Sequence, residues 1–385
     1  MKKAILVLTH ILTAMLATLV TLTLTMRPAA PAAETSKLDE LQNLIEQCFI
    51  GEVDSVAIED AAADAMVNAL GDRWSYYIPA SEYGAYQEQM KNAYVGIGIT
   101  VQLMEDQKGV LVTQVNPNGP AYEVGILAGD VIVGVENTDV CQMTLDEVSA
   151  LIKGEAGTKV TLTVLRGETR MDIPVERRTV LVTVATGKML EGNTGLITIT
   201  NFDSRCAQET IVIIDSLLEQ GASSLIFDVR NNPGGYASEL VKVLDHLLPE
   251  GDLFRTVDYA GNEKVDRSDA DYIEPMPIAV LVNAQSYSAA EFFAAALRDY
   301  DAAVIVGEKT CGKGYFQYTY PLSDGSAVGL SAGEYFTPKG QNLAGIGLTP
   351  DYEVPVDEET FMAIYAGTLD PMEDPQILKA MEVLK

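Results

Sequence analysis

Histidine is nearly absent from this chain. Its 385 residues include two, His10 and His246. A histidine-built metal centre is therefore not expected. A Ser-His-Asp triad has almost nothing to use, because His10 lies in an apolar N-terminal segment and His246 inside the helical pattern LVKVLDHLL. Cysteine is scarce as well. Cys48, Cys141, Cys206 and Cys311 are far apart and show no CxxC spacing, which argues against a zinc site or a dense disulfide framework. Cations are outnumbered: 26 Lys and Arg face 55 Asp and Glu, a formal net charge of −29. Nucleic acid is not expected as a partner, because phosphate binding needs clustered cations.

What is present suffices for two or three domains with proper cores, since 48% of the residues are hydrophobic. The chain opens MKKAILVLTHILTAMLATLVTLTLTMRPAAPAAETS, with no charged residue from Ala4 to Met26. That run is long enough to cross a bilayer and longer than the usual signal-peptide core of about 7–15 residues. Residues 1–26 therefore read as a membrane anchor, or as a signal sequence cleaved near AAPAA, and 27–36 as a spacer. Lys2 and Lys3 would stay inside and the rest would be exported.

LDELQNLIEQCFI and VAIEDAAADAMVNAL carry helical periodicity, so 37–92 reads as an N-terminal helical region. It ends in the aromatic cluster GDRWSYYIPASEYGAYQEQM, expected to be ordinary core packing. Residues 93–180 read as a small β-rich domain, with short strands between Gly, Asn and Asp turns. Its one helix, TLDEVSALI, has Thr144 and Glu147 spaced as a capping box. From 181 to 357 strands and helices alternate: TGLITIT, ETIVIIDSLLEQG, SLIFDVR, ASELVKVLDHLL, IAVLVN, AAEFFAAALRDY, AAVIVG. That is the pattern of βαβ units around a largely parallel sheet. Residues 358–385 read as a peripheral tail.

In such sheets chemistry collects beyond the carboxyl ends of strands. Three loops stand out there. In DVRNNPGGYASEL, Gly234 and Gly235 allow a tight turn whose free N–H groups could hold an oxyanion. In LVNAQSYSAAEFFAAAL, Ser286 and Ser288 sit at a helix start, and each could be no more than a cap. In VGEKTCGKGYFQ, Lys313 lies between Gly312 and Gly314, directly after an apolar strand. A buried lysine loses its charge readily and can act as a general base for a serine. Gln317 offers an amide that could orient that amine. With histidine unavailable, any serine nucleophile here needs a lysine base.

These loops, in this order, resemble the carboxyl-terminal processing peptidases, tail-specific serine proteases with a Ser-Lys centre. The resemblance rests on DVRNNPGG, VNAQSYSAAE, GEKTCGKGYFQ and YFTPKGQNLAGIGLTPDYEV, and covers roughly 37–357. It implies a crotonase-like α/β protease core into which the β-rich module is inserted as a PDZ domain. By motif position it implies Ser288 as nucleophile, Lys313 as base and Gln317 as the amide that holds it. Ala289 and either Gly234 or Gly235 would supply the oxyanion hole. Gly96, Ile97, Gly98 and Ile99 would form the PDZ loop that captures a chain terminus. The expected activity is an exported, membrane-associated endopeptidase acting on proteins or peptides with free, apolar C-termini, without metal or cofactor. Two alternatives are a non-catalytic PDZ peptide-binding scaffold and a hydratase-like core that holds a thioester oxyanion.

Overall fold

A computed structural model describes residues 36–104 and 108–385. The expected anchor and nearly all of the spacer lie outside the described residues. Among these, no helix is long and apolar enough to cross a membrane. Contacts divide the described residues into two units, one ending at Ala65 and one running from Met66 to Lys385. The helical region expected over 37–92 is thus not one body.

In the first unit, α1 (Lys37–Cys48) starts at a capping box: Asp39 N–H donates to Ser36 Oγ at 3.2 Å, and Ser36 N–H to Asp39 Oδ2 at 3.1 Å. Helix α2 (Ser55–Asn68) begins there and runs into the second unit.

The second unit opens with β1 (Tyr76–Ile78) and α3 (Ala80–Met90). The β-rich module follows: β2 (Ala93–Gly96), β3 (Ile99–Leu103), β4 (Val110–Val115), α4 (Pro120–Glu123), β5 (Val131–Val135), β6 (Thr138–Asp139), α5 (Leu145–Ile152), β7 (Lys159–Arg166), β8 (Thr169–Glu176) and β9 (Arg178–Leu181). Strands β3-β4-β5-β7-β8 form an antiparallel sheet, which leaves β3 at an edge, while β2 and β9 pair as a ribbon where the chain enters and leaves. Val110, Val112, Ile132, Leu162 and Val164 close its separate core. The capping box of α5 forms as expected: Glu147 N–H donates to Thr144 Oγ1 at 3.3 Å, and Thr144 N–H to Glu147 Oε2 at 2.8 Å.

The remaining elements are β10 (Ala185–Leu190), β11 (Thr194–Ile199), α6 (Cys206–Glu219), β12 (Ser224–Asp228), α7 (Ala237–Leu247), β13 (Gly251–Asp258), β14 (Glu263–Ser268), β15 (Ile278–Val282), α8 (Ala289–Asp299), β16 (Ala303–Gly307), β17 (Tyr315–Pro321), β18 (Ala327–Phe336), β19 (Tyr352–Glu353), α9 (Glu358–Tyr365) and α10 (Pro375–Val383). The central sheet runs β10-β11-β12-β15-β16-β19, parallel except for β10. Its strands read as unbroken apolar runs because both faces are covered. Successive side chains alternate between two cores. Leu225, Phe227, Val280 and Ile305 pack with α6, α7 and α8. Ile226, Ala279, Leu281 and Val306 pack with Ile377 and Ala380 of α10.

Two features depart from the sequence reading. The last residues are not a peripheral tail, because α10 covers one face of the central sheet. Strands β13, β14, β17 and β18 join β1 in a second, antiparallel sheet. Their polar, half-buried patterns carry less signal than the buried parallel strands.

Candidate active site

The site lies beyond the carboxyl ends of β12, β15 and β16. After β15 the chain turns sharply into α8, and Ser288 takes up the turn at φ +58°, ψ −126°. A non-glycine residue holds such a conformation only when its surroundings enforce it. Here they do. Ser288 N–H donates to Glu291 Oε2 at 3.0 Å, and Tyr287 N–H to the carbonyl of Asn232 at 3.1 Å. Ser288 is 5% exposed. The two serines separate cleanly. Ser286 is fully buried, and its hydroxyl donates to the Val229 carbonyl at 2.7 Å, so it ties the turn to the end of β12.

The Gly-Gly loop lies against this turn. Asn231 and Asn283 exchange two hydrogen bonds, of 3.0 and 2.9 Å, which join the two loops. Gly234 has φ +88°, and a Cβ there would sit 2.7 Å from Ser288 Cβ and 2.9 Å from Ala289 N. Only glycine permits that approach. Gly234 N–H is occupied, donating to Asn232 Oδ1 at 2.8 Å. Gly235 bridges Phe202 in parallel register: Phe202 N–H donates to the Gly234 carbonyl at 2.7 Å, and Tyr236 N–H to the Phe202 carbonyl at 2.8 Å. That pairing turns the N–H of Gly235 away from Phe202. Among the described residues, the N–H groups of Gly235 and Ala289 have no acceptor.

The third loop is pinned by Glu291. This buried carboxylate accepts from Thr310 Oγ1, from Gly312 N–H at 2.7 Å and from Lys313 N–H at 2.8 Å, besides Ser288 N–H. Burial pushes its pKa up, and the four donors oppose that rise. The Lys313 side chain is half-buried. Its amine lies 4.8 Å from the Trp74 ring centroid and 5.9 Å from that of Tyr287. Burial brings its pKa down to about 8, against the opposing charges of Asp72, Cys311 and Glu291.

Trp74 and Asp72 are therefore site residues, where the sequence reading took their segment as core packing. Asp72 is held by Ser75 Oγ at 2.6 Å and by Trp74 N–H at 3.1 Å. Arg73 also packs on this ring: its guanidinium lies 4.2 Å from the Trp74 centroid and donates to Cys311 Sγ at 3.2 Å. No sequence signal joins this segment to a loop more than 200 residues away. Glu291 was legible in principle, through its capping-box spacing from Ser288.

Gln317 departs from expectation. Its amide donates to Ser331 Oγ at 3.0 Å and to the Tyr315 carbonyl at 3.3 Å, so it does not hold the lysine. Among the described residues, the Lys313 amine hydrogen-bonds neither Ser288 nor Gln317. The remaining histidine of the body, His246, pairs with Asp215 at 3.1 Å. All four cysteines are free.

In the β-rich module, Gly96 to Ile99 joins β2 to β3. Ile97 is buried and its carbonyl accepts from Ala121 N–H at 2.9 Å; the Gly98 carbonyl accepts from Asn116 N–H at 2.9 Å. Gly98 holds φ +81° against Gly119. The N–H groups of Ile97 and Gly98 donate to no backbone carbonyl among the described residues.

This arrangement matches known proteins. Residues 193–354 match the profile of peptidase family S41. Residues 111–166 match the PDZ domain profile. A "Probable CtpA-like serine protease" of Staphylococcus epidermidis is 31% identical over 325 residues, 84% of this chain and 66% of that protein. One of Staphylococcus aureus is 31% identical over 84% of this chain and 65% of its own length. The chain thus spans just under two thirds of these curated relatives. Among solved structures, the photosystem II D1 C-terminal processing protease is 29% identical, with a TM-score of 0.50 over 89% of this chain and 92% of that one. A Bacteroides fragilis protein described as an S41 protease shares the fold at 15% identity and a TM-score of 0.54. The region that matches family S41 holds Ser288, Lys313 and Glu291, and the region that matches the PDZ profile precedes it.

Proposed function

We propose that this chain is a serine endopeptidase of the carboxyl-terminal processing type, with Ser288 as nucleophile and Lys313 as base. The observation that carries this reading is the meeting of a strained serine, unclaimed N–H groups and a lysine whose pKa is near 8. Neutral Lys313 takes the Ser288 proton as Oγ attacks a peptide carbonyl. The N–H groups of Ala289 and Gly235 stabilise the oxyanion, and one such donor is typically worth about 3 kcal/mol. The choice of Gly235 over Gly234 follows from the bond that Gly234 already makes to Asn232. As the C–N bond breaks, the Lys313 ammonium returns its proton to the leaving amine. Water then attacks the acyl-enzyme, Lys313 again takes the proton, and the acid product leaves.

The cycle requires the amine to leave Trp74 for Ser288, and Gln317 to leave Ser331 and hold it there. Capture of a substrate C-terminus by the PDZ loop is the trigger we assign to that movement. The peptide would add a strand to the open edge of β3, with its carboxylate on the N–H groups of Ile97 and Gly98. Export and attachment through the apolar N-terminal segment complete the proposal.

The test is Ser288→Ala in the full chain, with an unfolded polypeptide ending in apolar residues as substrate. Cleavage should vanish. Undiminished cleavage would end the assignment.

A further inference from the structure

Six carboxylates are buried among the described residues: Asp130, Asp203, Asp228, Glu239, Glu291 and Asp374. Five have partners. Asp130 pairs with Arg166 at 2.6 Å. Asp228 and Asp374 share Arg230 at 2.6 and 2.8 Å. Glu239 accepts from Ala207 N–H at 2.9 Å and from Lys242 at 2.7 Å, and Glu291 has its four donors. Asp203 alone has none. Its backbone is engaged, but its carboxylate accepts no hydrogen bond and meets no cation among the described residues. Burial by itself pushes its pKa up to about 6.

The obvious local partners are committed elsewhere. Arg205 donates to Glu209 at 3.0 Å and to the Lys91 carbonyl at 2.9 Å. The N–H of Ala207 in the first turn of α6 is taken by Glu239. No fully sealed side-chain oxygen among the described residues lacks a partner, so the Asp203 oxygens are open to solvent and free to take a cationic partner.

Asp203 lies beside the reacting centre. A Cβ on Gly235 would come 2.7 Å from Asp203 N, and one on Gly234 would come 2.7 Å from Ser288 Cβ. Burial raises the phenols of Tyr86 in α3 and of the half-exposed Tyr236, and the charge of Asp203 adds to both. Asp203 keeps 8% of its surface open. A carboxylate without a cation, on a residue that keeps part of its surface open beside the oxyanion loop, suits a long aliphatic stem that ends in a cation.

We propose that Asp203 is the floor of a subsite, next to the oxyanion loop, that receives a lysine or arginine side chain of the substrate. The proposal rests on the protease reading for its place in catalysis, and not for the binding itself. Peptides carrying Lys, Gln or Glu in turn at each position flanking the scissile bond test it. At one position the full-chain enzyme should prefer Lys over Gln by about tenfold in kcat/KM, with Glu poorer still. Asp203→Asn should bring the Lys-to-Gln ratio close to one. Absence of a Lys preference at every position in the unaltered enzyme overturns the proposal, and so does a preference that survives Asp203→Asn. The unaltered-enzyme scan stands whether or not the variant folds. Fluorescence anisotropy of the same peptides on Ser288→Ala, with and without Asp203→Asn, separates the two readings. A Lys preference in binding that depends on Asp203, without any Ser288-dependent cleavage, would leave the subsite standing and defeat the protease reading.

Discussion

The backbone N–H of Ser288 and that of Lys313 donate to the same oxygen, Glu291 Oε2, at 3.0 and 2.8 Å. One buried carboxylate thus sets the spacing between the turn that carries the hydroxyl and the loop that carries the amine. Each Glu291 oxygen serves two donors, so an amide in its place must point an NH2 group at two of them. Glu291→Gln should cost about 3 kcal/mol of stability and a larger share of kcat. Urea denaturation and turnover of one substrate check both.

Lys313 acts as a base only when neutral. With its pKa lowered to about 8, kcat/KM should rise with pH and level off above that value. Burial is the first cause of the lowering, and the Trp74 ring lies 4.8 Å from the amine. Trp74→Ala should therefore move the rising limb upward, toward the ordinary lysine value of 10.5. Asp72 acts in the other direction by stabilising the ammonium. Asp72→Asn should move the limb down. The pH profiles of the two variants should thus separate from the parent on opposite sides.

Gly234 is the closest approach of the oxyanion loop to the nucleophile. Gly234→Ala would place a methyl 2.7 Å from Ser288 Cβ, at a φ of +88° that alanine resists. The expected outcome is a loss of kcat of at least about a hundredfold if the oxyanion donors are displaced. Circular dichroism should show the fold retained.

The C-terminal helix is tied to the same loop. Arg230, in the strand-to-loop run that leads to Gly234, pairs with Asp374 at 2.8 Å and donates to Gln376 Oε1 at 2.9 Å. The neighbouring carboxylates hold its pKa above the usual arginine range, against the effect of burial. Asp374→Ala removes one of the two carboxylates that share that guanidinium and leaves Asp228, at a cost of about 1–3 kcal/mol. Thermal unfolding should show the loss, and removal of residues 374–385 should exceed it, because Ile377 and Ala380 leave the core as well.

If the PDZ loop captures a chain terminus, amidation of the substrate carboxylate should raise KM strongly. Gly98→Val, which places a branched side chain at φ +81°, should make the free and amidated substrates equivalent. A steady-state comparison of the two substrates in each enzyme decides the point.

The sequence by itself determined the elements whose partners are local or whose faces are both buried. The apolar runs at 224–228, 278–282 and 303–307 could only be covered parallel strands, and Thr144 with Glu147 announced its own helix start. It also placed Ser288, Lys313 and the Gly-Gly pair at the ends of those strands, because a strand pattern followed by a turn residue is a local signal. It could not say what surrounds them. Trp74 and Asp72 meet Lys313 from a segment far earlier in the chain, Gln317 bonds Ser331 across the β17–β18 pair, and α10 closes the sheet and holds Arg230. Periodicity records whether a face is buried, not which distant side chain buries it. Those pairings, and the unpartnered state of Asp203, were decided only when packing brought the segments together.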